Sequence, residues 1–300
     1  MPFTLLRTSF LALLILTFSF AIGAQGDDDV VTVDSSIVVV NATITDASGN
    51  HVSGIKQNQF SLFENGAEQE ISFFAAEETP FAAVILIDTS GSMEQRVSLA
   101  RSAAIKFLDG LRDVDSSEIY RFDSKVVLVQ KFSNSRDVGD KFFDLKADGM
   151  TALNDAVYQA AKDLSDRPEK RRAIIVLSDG EDTISRRSAD KALKAALAVN
   201  ASIYTIDMAG IETNGRQRAQ NQGVLRNFAE KTGGTFIATP GGVAMRETFR
   251  KIVEELGRQY TLAYQPKNQT KDGKWRTIEV RVAKPNLTIR TRKGYNASKQ

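Results

Sequence analysis

The chain has 300 residues, 42% hydrophobic and 25% charged, the balance of an ordinary globular protein long enough to bury a sizeable core. Its 39 basic and 37 acidic residues leave a formal charge of +2, which gives no electrostatic reason to expect nucleic acid or an anionic membrane as the main partner. With no cysteine, disulfides, thiol catalysis and thiolate metal sites are excluded.

The opening residues read as a targeting leader. Arg7 supplies a positive start, a mostly apolar run covers Phe10 to Ile22, and Gly23-Ala24 offers small residues for cleavage before Gln25-Gly26-Asp27-Asp28-Asp29. We expect a signal peptide over 1–24, no membrane span once it is removed, and an exported protein, periplasmic or secreted. Export without cysteine points to a bacterial source, because animal extracellular modules usually rely on disulfides.

Residues 30–78 read as β structure. Val38, Val40, Ala42 and Ile44 alternate with Val39, Asn41, Thr43 and Thr45, the period of a half-buried strand, and Ser48-Gly49-Asn50 marks a turn. Phe60–Phe63 and Ile71–Phe74 flank Asn65-Gly66 and are expected to form the two arms of a hairpin. The only histidine, His51, falls in the first turn without a second imidazole or a thiol, so it reads as a turn residue.

From about Pro80 to 257 strands and helices alternate. Ala82–Ile87 and Ala173–Leu177 are continuous apolar runs, as expected of strands covered on both faces. Strands are also expected around 118–122, 126–130, 202–206 and 235–238. Val97, Ala100, Ala104, Phe107, Leu108 and Leu111 share one helical face, as do Leu153, Ala156, Val157, Ala160, Ala161 and Leu164. Further helices are expected over 187–199, between Gln222 and Thr235, and from about Val243 to Leu256, while Ile211–Gln222, with Asn214-Gly215 and no apolar period, reads as an exposed loop. The order implies an α/β fold with a doubly wound, mostly parallel sheet.

After Gly257 the strand period returns over 258–296. Tyr260–Tyr264 and Trp275–Val282 flank Asp272-Gly273, and Arg290, Arg292 and Lys293 read as a charged edge strand. Neither flank is long enough to bury a core alone. Both leave the α/β domain at the face opposite the strands' C-terminal ends, so they are expected to pair into one small β-sandwich into which that domain is inserted.

The chemistry concentrates in three segments. Asp88-Thr-Ser90-Gly-Ser92 follows the first buried strand, at the end where open α/β sheets bind ligands. A carboxylate and two hydroxyls at alternate positions can point into one small volume, and they are hard oxygen donors suited to Mg²⁺ or Mn²⁺. Alone, the serines could simply cap the next helix. Gly149-Met-Thr151 adds a third hydroxyl before a helix, and Ser178-Asp179-Gly180 adds a second carboxylate after another buried strand.

This set resembles the von Willebrand factor type A family and its metal-ion-dependent adhesion site, an Asp-x-Ser-x-Ser motif with a distant Thr and a distant Asp, here Asp88, Ser90, Ser92, Thr151 and Asp179. Phe60-Ser-Leu-Phe63-Glu64-Asn-Gly66 and Arg292-Lys-Gly-Tyr295 are similar to segments of secreted bacterial proteins related to that family, known especially from Acidobacteria. The resemblance implies that the five residues hold Mg²⁺ or Mn²⁺, directly or through water. It also implies that a protein partner completes the shell with an Asp or Glu carboxylate. That is adhesion or scaffold chemistry, and the chain is expected not to be an enzyme. The rival reading is a Mg²⁺-dependent phosphatase of the haloacid dehalogenase type, suggested by Asp179-Gly-Glu181-Asp182. Such enzymes need a second Asp two positions after the first, where this chain has Ser90. A scaffold with an unused metal site is a third reading.

Overall fold

The computed structural model describes residues 37–76, 79–143, 145–210, 215–238 and 242–299. The leader expected over 1–24 lies outside them. The strands, in chain order, are β1 (Val38–Thr45), β2 (Phe60–Glu64), β3 (Ala67–Gln69), β4 (Phe73–Ala75), β5 (Phe81–Asp88), β6 (Ser116–Phe122), β7 (Val126–Ser133), β8 (Arg171–Ser178), β9 (Ala201–Asp207), β10 (Phe236–Ile237), β11 (Tyr260–Tyr264), β12 (Trp275–Val282), β13 (Thr288–Arg290) and β14 (Gly294–Asn296). The α-helices are α1 (Val97–Asp109), α2 (Leu153–Ser165), α3 (Ala189–Ala198), α4 (Gly215–Thr232) and α5 (Gly242–Arg258).

A six-stranded sheet runs β10-β9-β8-β5-β6-β7, parallel except for β7. On β5, Phe81, Ala83, Ile85 and Ile87 face α1 and α5, while Ala82, Val84 and Leu86 face α2, α3 and α4. Both faces are covered, which is why the sequence there shows an unbroken apolar run instead of alternation. The chain leaves β5 towards β6 on one side, and β8 lies on the other. The C-terminal ends of β5 and β8 therefore form the topological switch point of the sheet.

The flanks interleave. One antiparallel sheet runs β13-β1-β11-β4 and a second β14-β12-β2-β3, so each contains strands from before and after the α/β region. Val40, Ile44, Leu62, Tyr260, Tyr264 and Val280 pack between them in one apolar cluster. The fold is thus α/β with a mostly parallel sheet and a flanking β-sandwich. The Tyr295 hydroxyl donates to Glu64 Oε2 at 2.8 Å, joining the two flanking motifs that the sequence singled out.

Two local expectations are corrected, and a third is filled in. The hairpin at Asn65-Gly66 closes β2 on β3, not on the segment around Phe74. Its two turn residues have φ of 48° and 81°, a type I′ turn. The chain then crosses to the other sheet, where β4 pairs with β11. The expected loop 211–222 is helical from Gly215, with Asn221 buried, and its first four residues lie outside the described ones. The opening turns of α4 are polar because little of their surface meets the core, so no apolar period marks them. The edge strand expected around Arg290 is present as β13, and its arginines are anchored: Arg290 pairs with Glu255 of α5 at 2.5 Å, and Arg292 donates to the Leu197 carbonyl at 3.1 Å.

The base of the α/β part is joined to the sandwich by a buried guanidinium. Arg171, the first residue of β8, is 0% exposed. It donates to Thr261 Oγ1 and the Gly257 carbonyl at 3.0 Å each, to the Leu256 and Thr79 carbonyls at 3.4 Å, and to the Gln259 carbonyl.

One buried carboxyl on β6 gives the fold a pH dependence. Glu118 is buried and its Oε2 finds no hydrogen-bond partner among the described residues. Burial, reinforced by the charge of Asp163, lifts this carboxyl to about 7. The folded state then holds the proton more tightly than the unfolded chain. Its stabilisation is complete below the unfolded value and is lost as pH rises to about 7. Between about pH 4 and about pH 8, the stability of Glu118→Gln should improve relative to the unsubstituted chain by about 1–3 kcal/mol. Urea unfolding at both pH values checks this, and a gap independent of pH would refute it.

Candidate metal site

Asp88 ends β5 and is fully buried. Its Oδ1 accepts from the Ser90 backbone N–H at 2.9 Å, which bends the chain directly after the strand. Ser90 and Ser92 then project from a short 3-10 turn, Gly91–Met93, with their Oγ atoms 3.1 Å apart. Two oxygens in adjacent octahedral positions around Mg²⁺ would stand roughly 3 Å apart, from metal–oxygen distances of about 2.1 Å. The spacing of the two serine oxygens matches that separation.

Asp179 follows β8 and is 8% exposed, with Oδ1 accepting from the Glu181 N–H at 3.0 Å. Thr151 is also buried and lies just before α2. Two backbone bonds bring its loop to the serine turn: Gly91 N–H to the Gly149 carbonyl at 3.1 Å, and Asp148 N–H to the Thr89 carbonyl at 2.9 Å. Desolvation lifts the Asp88 carboxyl to about 7; hydrogen bonds from Ser178 and Ser90 pull against that rise, and the nearby Asp179 charge adds to it. A buried carboxyl beside a second one, with three neutral hydroxyls and no nitrogen or sulfur donor, suits a hard divalent cation.

Three further residues support the site in roles that the sequence does not reveal. Ser178 donates to Asp88 Oδ2 at 2.5 Å and accepts from the Gly180 N–H at 3.0 Å, so it links the ends of β5 and β8. Its place as the last residue of a buried strand was the available signal. Asn221 of α4 walls the site: a Cβ on Gly180, which has φ of 82°, would lie 2.7 Å from the Asn221 carbonyl oxygen. No local pattern places it there, since the opening turns of α4 that carry it show no apolar period. Asp182 belongs in sequence to an acidic run, and in the fold its Oδ2 accepts from Asn154 Nδ2 at 2.7 Å.

Comparison with known proteins agrees with this architecture. Residues 83–181, from β5 to the loop after β8, match the von Willebrand factor type A domain. No curated protein sequence matches the chain. Among solved structures, a von Willebrand factor type A protein from Catenulispora acidiphila is 16% identical over 79% of this chain and 72% of that one, with a TM-score of 0.51. The PilB minor pilin from Streptococcus sanguinis is 15% identical over 60% of this chain and 62% of its own, with a TM-score of 0.46. The pilus adhesin SpaC from Lactobacillus rhamnosus GG, in an open conformation, is 9% identical over 84% of this chain and 49% of its own, with a TM-score of 0.48. The matched segment takes in the C-terminal ends of both β5 and β8: over residues 83–181 this chain matches the von Willebrand factor type A domain, and its own two flanks build the β-sandwich around that segment.

Proposed function

We propose that the chain is an exported bacterial protein-binding module, and that it engages an acidic group of a partner through Mg²⁺ or Mn²⁺ held by Asp88, Ser90, Ser92, Thr151 and Asp179. The observation that carries this reading is the serine pair, two hydroxyl oxygens 3.1 Å apart beside the buried Asp88. When bound, the ion supplies positive charge only partly offset by this donor set, so an Asp or Glu carboxylate gains a strong charge-assisted contact. Met150 and Ile184, exposed on either side of the Thr151 backbone contacts, offer apolar surface around that contact. Export rests on the leader pattern over 1–24 and the lack of cysteine. Among the described residues no helix is long and apolar enough to cross a membrane.

The phosphatase reading loses its support in the same loops. Asp182 is engaged by Asn154 and Ser185, and the position two after Asp88 carries a hydroxyl. To test binding, the protein without residues 1–24 is immobilised, loaded with native envelope or medium proteins in Mg²⁺, and eluted with EDTA. Specific partners should elute, should be lost with Asp179→Ala, and should be lost when carboxylates in the extract are blocked with a carbodiimide and an amine. Equal recovery with EDTA present throughout, or by the Asp179→Ala protein, would sink the proposal.

A further inference from the structure

Helix α2 begins without a capping side chain of its own: its N-cap is Ala152, which has no side-chain oxygen to offer. A helix start leaves backbone N–H groups unpaired and carries partial positive charge, so a partner for them is needed. Here the partner comes from the loop after β8. Asp182 Oδ1 accepts from the Asn154 N–H at 3.2 Å, and Asp182 Oδ2 accepts from Asn154 Nδ2 at 2.7 Å. Ser185 Oγ accepts from the Asp155 N–H at 3.1 Å and donates to Asp182 Oδ1 at 2.5 Å. Just before the helix, Thr151 is held by that loop on both sides of its backbone. Its N–H donates to Thr183 Oγ1 at 2.9 Å, and its carbonyl accepts from the Thr183 and Ile184 N–H groups at 2.9 and 3.1 Å.

The consequence concerns spacing. Thr151 and Asp179 come from separate segments, and the loop that follows Asp179 by three residues grips the backbone on both sides of Thr151. We infer that Asp182, with Thr183 and Ser185, is the positioning element that sets the distance between the Thr151 hydroxyl and the Asp179 carboxylate. This rests on the metal reading proposed above and assigns these residues no direct contact with the ion. Asp182 acts here through geometry, as a cap supplied from another loop, and its negative charge is not what the site requires.

That distinction can be measured. Asn154 Oδ1 is buried with no hydrogen-bond partner among the described residues. In Asp182→Asn, the Asn154 amide can turn over, so that this oxygen accepts from the amide nitrogen introduced by the substitution, while the remaining side-chain oxygen keeps the other bonds. The clamp then survives without its charge. In Asp182→Ala it is lost. Mn²⁺ titration of the full mature chain, read by the loss of the free-ion electron paramagnetic resonance signal, should show Asp182→Ala weakened about ten- to a hundredfold, the usual cost of removing a group that orients a metal ligand. Asp182→Asn should stay close to the unsubstituted protein. Thr183→Ala should weaken binding and Thr183→Ser should restore it. Circular dichroism on each variant confirms that the fold persists, and the Thr183 pair keeps the test decisive if Asp182→Ala does not fold.

Equal losses in Asp182→Asn and Asp182→Ala would show a charge effect and overturn the inference. Unchanged affinity in Asp182→Ala would overturn it too, leaving the metal site standing. No Mn²⁺ binding by the unsubstituted chain would remove the metal reading itself.

Discussion

Arg171→Met should destabilise the protein by about 4 kcal/mol or more and separate the unfolding of its two halves. The guanidinium is fully buried, and its contacts gather the chain entering β5, the chain leaving α5 and strand β11 onto the base of β8. Removing it takes the guanidinium donor from the carbonyls of Leu256, Gly257 and Gln259, while that of Thr79 keeps Arg112 at 3.0 Å, and each buried acceptor left without a donor costs roughly 1–3 kcal/mol. Such a loss is a large part of the roughly 5–15 kcal/mol that typically holds a domain folded. Lys at this position should rescue only part, because an ammonium has three donors and no planar fork. The chain reports on its halves separately: its only tryptophan, Trp275, lies on β12 of the sandwich, while far-ultraviolet dichroism follows the helices of the α/β part. Fluorescence and dichroism transitions in urea should coincide for the unsubstituted protein and diverge for Arg171→Met. Coincident transitions at unchanged midpoint would refute the role.

The same contacts bear on α5. Its carbonyls at Leu256 and Gly257, and that of Gln259 just after it, are held by Arg171, and Glu255 accepts from Tyr204 at 2.5 Å and from Thr43 at 3.1 Å. The helix is thus tied at its exit to β8, β9 and β1, linking the sheet to the sandwich.

Ser90→Ala/Ser92→Ala should abolish the heat of Mg²⁺ or Mn²⁺ binding, a loss expected to exceed the roughly ten- to hundredfold typical of groups that merely orient ligands. Two of the three proposed hydroxyl ligands disappear, while the Ser90 backbone N–H that bends the chain onto Asp88 remains. Removing two hydroxyls makes no large cavity, so the thermal midpoint without metal should move little. Calorimetry on both proteins with the ion, with and without EDTA, checks this. Unchanged affinity would mean that these serines hold no metal.

How much of this was legible in the sequence follows from the distance over which each feature is decided. The apolar runs on β5 and β8 and the helical periods of α1 and α2 report local burial, so the α/β order could be read residue by residue. The motif from Asp88 to Ser92 is equally local: a strand end, a tight turn and alternate oxygen donors. Flanks too short for cores of their own also implied a shared sandwich. Tertiary structure alone decided the rest. Ser178 reaches Asp88 across 90 positions, Arg171 reaches Thr261 across 90, and Asp182 caps α2 from 28 positions away. The strand after Gln69 crosses to the other sheet because β11 stands there to pair with it, and α4 begins early in a stretch whose few buried positions leave no period. A polar side chain looks the same in sequence whether water or a distant backbone satisfies it. Only the packing of elements far apart in the chain removes the water and makes the partner obligatory.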